Sequence, residues 1–464
     1  MKFKLFILSA MSIAFLAGCS SHVHTFKDVY TFDEKNHWKE ATCEHKEEKG
    51  DFGPHSFNEN YVCTVCGYEE FDHKNYHIER IEERPMKDYL QKVIKLPELV
   101  VELIPENLTF VKYKMYYYST DLQDNKVLMS SSLTVPYLSG EAYINGFVVD
   151  SHPTLTDLME APTERWDQYL INCIPGNVVL QCDLMGFGTQ SDKISDYHCR
   201  HLANRNTVDG IFAAFELIED EYDVDAENLP LYNVGYSQGG YTSMGFLRYM
   251  EQEATPEEKE RIKITKTFSG SGAYDINIMF DECFKIEDYQ YSHYLIKGIL
   301  TTYEYHPESY NQYGVTVEDY LTEYGKEFLP PLREKNNAAL EEVLNRVDPI
   351  TGERVYKGPK SVFNQEYLDK ESNLNKAVVA ACEKENLLDR NWYPKGEIDI
   401  YYSPYDTMVT PKCTEAAIKI FKEEEDLDNV GIIEATDKID HRQYGTTFYI
   451  SVLIELLANV ILED

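Results

Sequence analysis

Leu229-Pro230-Leu231-Tyr232-Asn233-Val234-Gly235-Tyr236-Ser237-Gln238-Gly239-Gly240-Tyr241 decides how this chain is read. A short apolar run leads into Gly-x-Ser-x-Gly, and a helix-compatible run from Tyr241 to Met250 leads out. Strand, tight turn and helix in that order are what a strained turn needs to push one serine hydroxyl outward. The glycines are steric: side chains beside such a turn would collide with it. An ordinary glycine-rich turn between strand and helix is the competing reading.

Working outward, Leu108 to Thr120 and Lys126 to Val135 alternate apolar and polar residues around Asp121-Leu122-Gln123-Asp124-Asn125, which predicts an antiparallel hairpin. Gly146 to Asp150 and Val178 to Cys182 read as short buried strands. Thr207 opens a helix with Val208, Ile211, Phe212 and Phe215 on one face. Further strands are expected at Ile264 to Ser269, Glu397 to Tyr402 and Val430 to Glu434, and a closing helix from about Thr447 to Leu462. Strands alternating with helices predict an α/β fold with a mostly parallel sheet covered on both faces. Roughly 125 residues separate Ser269 from Glu397, far beyond an ordinary connection. This Tyr- and Phe-rich stretch, about 275–395 and partly helical (Asn336 to Arg346), is expected to form a cap over Ser237, or else a packed insertion that never moves.

With 464 residues, 43% of them hydrophobic, the chain can bury a large core. Its 44 basic and 80 acidic residues give a net charge of −36, which argues against nucleic acid or a charge-recognised anionic membrane as partner. The 36 tyrosines suit packing first, and sugar- or lipid-facing clefts second. Lys2 and Lys4, the apolar run Leu5 to Leu16, and small residues after it form a signal peptide over 1–18. Leu16-Ala17-Gly18-Cys19 resembles the lipobox of bacterial lipoproteins. That resemblance implies cleavage before Cys19, a lipid on its thiol, and an extracytoplasmic, membrane-anchored protein of the cell envelope. No later run is long and apolar enough to span a bilayer.

Residues 19–80 hold a Cys/His-rich segment, with seven histidines and three cysteines between 22 and 77, too poor in aliphatics to fold on a core. Cys63-Thr64-Val65-Cys66-Gly67 is a two-thiolate knuckle, Cys43-Glu44-His45 offers a second pair, and His55 is a spare. Four such ligands would make a closed structural zinc site. The segment resembles small zinc-ribbon-like Cys/His modules of bacterial surface proteins, with His37-Trp38 and His55-Ser56-Phe57 fitting their His-aromatic pairs. A disulfide among Cys43, Cys63 and Cys66 is the alternative. Glu79 to Glu102 reads as a linker or leading helix, with the large domain over 85–464.

From about residue 105 the chain resembles an α/β-hydrolase, most nearly the secretory-lipase-like serine esterases. The resemblance rests on Ser151-His152-Pro153-Thr154, Asp183-Leu184-Met185-Gly186-Phe187-Gly188, Gly235-Tyr236-Ser237-Gln238-Gly239-Gly240, Asp406 and His441. In that fold the nucleophile, acid and base follow in chain order Ser, Asp, His. Of the histidines after Ser237, His293 and His306 precede the late strands, which leaves His441 as base. Ser403-Pro404-Tyr405-Asp406 follows a strand directly and Val409-Thr410-Pro411 follows the acid, so Asp406 is preferred over Asp437 and Asp440. The oxyanion donors are expected to be the backbone N–H groups of Gln238 and Thr154, since Pro153 has none. Hydrolysis of a carboxylic ester is expected, on a lipid, a short acyl ester or an esterified carbohydrate, with no cofactor for catalysis. Peptide hydrolysis by the same triad, or a catalytically inactive surface binding protein, are the alternatives. The pairing of cysteines 173, 182, 199, 283, 382 and 413 does not follow from the sequence.

Overall fold

The computed structural model describes residues 23–32, 36–58, 62–68, 75–94, 98–102, 104–165 and 170–463. The expected signal peptide, residues 1–18, and Cys19 lie outside the described residues. The chain divides into two compact units between Lys74 and Asn75. Among the described residues no helix is long and apolar enough to cross a membrane.

The first unit is a small antiparallel sheet of Thr31–Phe32, Asn36–Glu40 and Lys49–Pro54. Among its described residues only His37, Ala41, Gly50 and Cys63 are buried. A sheet this short with so little apolar cover needs another source of stability.

The second unit is built on one large sheet, whose strands we number β1 (Tyr76–Pro85), β2 (Leu108–Thr120), β3 (Lys126–Leu138), β4 (Gly146–Ser151), β5 (Asn177–Cys182), β6 (Leu231–Tyr236), β7 (Ile264–Gly270), β8 (Ile398–Tyr402) and β9 (Val430–Glu434). Their spatial order is β9-β8-β7-β6-β4-β5-β3-β2-β1, with the two-residue strand Glu141–Ala142 beside β3. All pairings from β5 through β9 are parallel, and those of β1, β2 and β3 are antiparallel. Strands β4, β5 and β6 are buried along their whole length, as continuous apolar runs covered on both faces should be. Sequence order reverses between β4 and β6, and in open α/β sheets such a reversal leaves a crevice at the carboxyl ends of the strands. Ser237 lies there.

Helices α1 (Arg200–Tyr222), α2 (Gln238–Gln252), α3 (Ser292–Tyr305), α4 (Asn373–Glu385) and α5 (His441–Glu463) matter most for the site. Ile211, Phe215 and Ile218 of α1 pack with Phe147 and Leu180 on one face of the sheet, and Phe448, Val452 and Leu456 of α5 pack with Val148 and Phe268 on the other. Helix α1 starts seven residues before Thr207, because Arg200 is buried at its head against Glu253. The largest departure from the sequence reading lies before β2. Of Glu79 to Glu102, Met86–Tyr89 and Glu98–Val101 are helical, but the part up to Pro85 belongs to an edge strand, Tyr76–Pro85, paired with β2 from Tyr76 opposite Tyr117 to Pro85 opposite Thr109. Its exposed charges hide the period-2 signal, a common property of protected edges.

The stretch between β7 and β8 folds into short helices whose apolar residues share one core with Tyr241 and Met244 of α2 and Ile398 and Ile400 of β8. Tyr289, Tyr310, Tyr320 and Tyr367 are buried there, and Tyr310 meets Thr302 Oγ1 at 2.6 Å while Tyr320 donates to Leu374 O at 2.7 Å. Tyr289 likewise donates to Met408 O at 2.7 Å, so the hydroxyls of Tyr289, Tyr310 and Tyr320 have partners and these tyrosines serve packing. The six cysteines of this unit are free and buried.

Candidate active site

Strand β6 ends at Tyr236 and α2 begins at Gln238, so the reversal falls on Ser237, at φ +62° and ψ −121°. Left-handed backbone at a residue with a Cβ is strained and persists only where the surroundings enforce it. The enforcement is backbone on backbone. A Cβ at Gly235 would stand 2.1 Å from Gly239 O, one at Gly239 2.0 Å from Ser151 O, and one at Gly240 2.2 Å from Gly270 O. Ser237 N–H donates to Gly270 O at 2.8 Å, tying the turn to β7.

Asp406 follows β8 in a turn. Its Oδ1 accepts from the N–H groups of Met408 and Val409, both at 2.9 Å, and its Oδ2 accepts from His441 Nδ1 at 2.6 Å. Both side chains are buried, so this is a charge-assisted contact shielded from water. His441 is the first residue of α5 rather than part of the loop before it. The hydroxyl of Tyr236, the neighbour of Ser237, donates to His441 O at 2.6 Å, and the two rings lie 5.0 Å apart. Three segments widely separated in sequence therefore meet at one rim of the sheet. Asp440 is exposed and accepts from Gln443 N at 3.0 Å, which turns it toward the helix start and away from the ring of its neighbour.

The other two histidines after Ser237 have different surroundings. His306 donates to buried Glu385 at 2.7 Å. His293 is buried in the insertion, where burial and then the charge of Lys297 push its imidazole down to about 3.

Thr154, Ser237 and Gln238 line one narrow crevice with Tyr197, His198, Ala273, Met279, Tyr294, Met408 and Val409. Met279 and Tyr294 come from the insertion, so it contributes to the wall of that crevice. The open space amounts to about 10 Å³, room for about one water. The loop carrying Thr154 is pinned from two sides. His152, kept neutral by burial, stands 2.8 Å from Pro153 O and 3.2 Å from Asp183 O. Lys297, on α3, donates to Leu155 O. Nothing in the local sequence of Lys297 or Tyr236 marks these tethers, because both depend on long-range packing.

In the first unit the structure separates the residues expected to form one metal site. Cys63, Cys66 and His55 stand with His37, and Cys43 and His45 stand with His24; within each group one ligand atom per residue lies within 4.8 Å of all the others. The expected pooling of Cys43 and His45 with the knuckle is thus corrected. The physical cause is the strand Asn36–Glu40: His37 is at its start, and Cys43 lies past its other end. Cys43, Cys63 and Cys66 are not joined to one another by a disulfide. Gly67 N–H donates to Cys63 O at 2.9 Å and Tyr68 N–H reaches Cys66 Sγ at 3.4 Å, the turn expected of a knuckle. Cys63 Sγ is 3.8 Å from His37 Nδ1 and Cys66 Sγ 3.4 Å from His55 Nδ1. Zinc bonds of about 2.3 Å to sulfur and about 2.05 Å to nitrogen, at tetrahedral angles, put those atoms about 3.6 Å apart. The donor set fits zinc.

No protein-family model and no curated protein matches the sequence. Solved structures do match in shape. A hydrolase from Legionella pneumophila superposes with a TM-score of 0.65 at 15% identity, over 82% of this chain and 96% of that one. The rice cell wall degrading esterase LipA from Xanthomonas oryzae gives 0.64 at 15%, over 82% and 96%. Candida antarctica lipase A in its closed state gives 0.53 at 14%, over 82% of each chain. Identities this low speak to architecture alone. The second unit of this chain has the α/β-hydrolase fold.

Proposed function

We propose that this chain is a serine hydrolase that cleaves carboxylic esters. The observation that carries the reading is the buried 2.6 Å contact between His441 Nδ1 and Asp406, with His441 tethered to the residue beside Ser237. Serine is a weak nucleophile until a base removes its proton. In the proposed reaction Ser237 Oγ attacks the ester carbonyl carbon and its proton passes to His441 Nε2. Asp406 holds the ring in the tautomer that leaves Nε2 free, and stabilises the imidazolium that forms. Negative charge developing on the carbonyl oxygen is met by the N–H groups of Gln238, at the head of α2, and Thr154. His441 then gives its proton to the departing alcohol, and water, activated by the same base, releases the acid from the acyl-enzyme.

Met279, Met408, Val409 and Ala273 give the crevice an apolar side suited to an acyl chain. Because the open space there is so small, an ester enters only when side chains of the insertion yield. The lipobox-like Leu16-Ala17-Gly18-Cys19 supports attachment to a bacterial membrane through a lipid on Cys19, on the extracytoplasmic side. His37, His55, Cys63 and Cys66 would hold a structural zinc that staples the first unit and takes no part in hydrolysis.

The test is covalent labelling by a fluorophosphonate together with turnover of p-nitrophenyl esters. The wild-type protein is expected to take one label and release nitrophenol, and Ser237→Ala to do neither. A folded wild-type protein that takes no label would sink the proposal. Faster turnover of aminoacyl-nitroanilides than of esters would replace esterase by peptidase.

A further inference from the structure

The residues that the knuckle site leaves over are not scattered. His24, Cys43 and His45 put an imidazole nitrogen, a thiolate sulfur and a second imidazole nitrogen within 4.8 Å of one another. Cys43 Sγ lies 3.6 Å from His24 Nδ1, the separation that tetrahedral zinc imposes on a sulfur and a nitrogen, about 3.6 Å. The rings of His24 and His45 meet edge to face with centroids 5.1 Å apart. The backbone brings these residues together by register. Phe26 bridges Ala41, and Thr42 N–H donates to Thr25 O at 2.7 Å, which sets His24 beside Cys43. Lys46 Nζ reaches back to Ala41 O at 3.2 Å and closes the turn that carries His45.

From this geometry we infer that the first unit binds a second zinc ion, held by His24, Cys43 and His45, at the opposite end of the strand Asn36–Glu40 from the knuckle site. One thiolate and two neutral imidazoles make a donor set of intermediate softness that suits Zn²⁺ and not Ca²⁺ or Mg²⁺. Among the described residues three ligands meet there, which leaves a coordination position for water or for a further donor. The two sites differ in access. His37 and Cys63 of the knuckle site are buried, whereas His45 is exposed and His24 and Cys43 are half-buried. The ion at the second site is therefore the more readily exchanged. On binding, the Cys43 thiol loses its proton to solvent and no electrons move.

The test is metal content of the purified full chain by mass spectrometry after loading with Zn²⁺ and desalting, and it needs no enzymatic readout. Two equivalents per chain are expected, one lost in Cys43→Ser and the other lost in the Cys63→Ser/Cys66→Ser double variant. His24→Cys, which retains a ligand atom, is expected to keep both. A chelator should remove zinc from the wild type in two phases, with Cys43→Ser lacking the fast one. One equivalent in the wild type, or two in Cys43→Ser, would overturn the inference. One equivalent that is lost only in the double variant would remove the second site while leaving the knuckle site standing.

Discussion

At the scale of single residues, the site depends on three atoms whose geometry is enforced by neighbours that do no chemistry. Asp406 spends one carboxylate oxygen on two backbone N–H groups and offers the other to His441. An amide at that position would keep the turn but present an N–H where the ring needs an acceptor, reversing the tautomer. Asp406→Asn is thus expected to lower kcat on p-nitrophenyl esters about 10⁴-fold with little change in KM. A loss under tenfold would mean that Asp406 is a turn residue only. That the segments carrying Ser237, Asp406 and His441 would come together was legible in the sequence, because each follows a strand or opens a helix in a fixed chain order. The grouping of His24 and His37 with the cysteines was not legible. Four short segments converge in the first unit, and which histidine meets which cysteine is decided by strand register, to which spacing along the chain is blind.

Among the elements, α4 ties the insertion to the body through its last residue. Glu385 is fully buried and accepts from Arg200 N–H at 2.8 Å and from the rings of His201 and His306. Tyr241, one turn into the elbow helix, donates to Glu385 O at 2.7 Å. Burial alone would push this carboxyl up, but the hydrogen bonds and charge of His201 and His306 outweigh it and hold it at about 2. A carboxyl lowered on folding stabilises the fold above its unfolded value, about 4.3, and that contribution fades as pH falls from there toward 2. Up to about 3 kcal/mol is at stake. In urea titrations at several pH values, the wild type should lose stability below pH ~4.3 more steeply than Glu385→Gln, with the two curves converging near pH 2. Parallel curves would show that Glu385 does not couple to acid unfolding. The main helices and the parallel strands of the body could be read from apolar runs, with ends shifted by a few residues. Strand β1 could not, since an exposed, charged edge carries no apolar alternation.

For the whole molecule, the two units draw their stability from different sources. The second has apolar cores on both faces of its sheet, one of them shared by the insertion, α2 and β8. The first buries only four of its described residues, and two of these, His37 and Cys63, belong to a ligand group. Removing metal should therefore unfold the first unit and leave the second intact. Calorimetry of the zinc-loaded chain is expected to give two transitions. Unfolding enthalpy scales at about 0.7 kcal/mol per residue, so the second unit's transition should be several times the larger. A strong chelator should abolish the small transition, leave the large one unmoved, and leave ester turnover unchanged, because the proposed catalytic residues and their tethers all lie beyond Asn75. Turnover that falls with the metal would place zinc in the chemistry of Ser237, and a single transition shifted by chelation would mean that the units unfold as one.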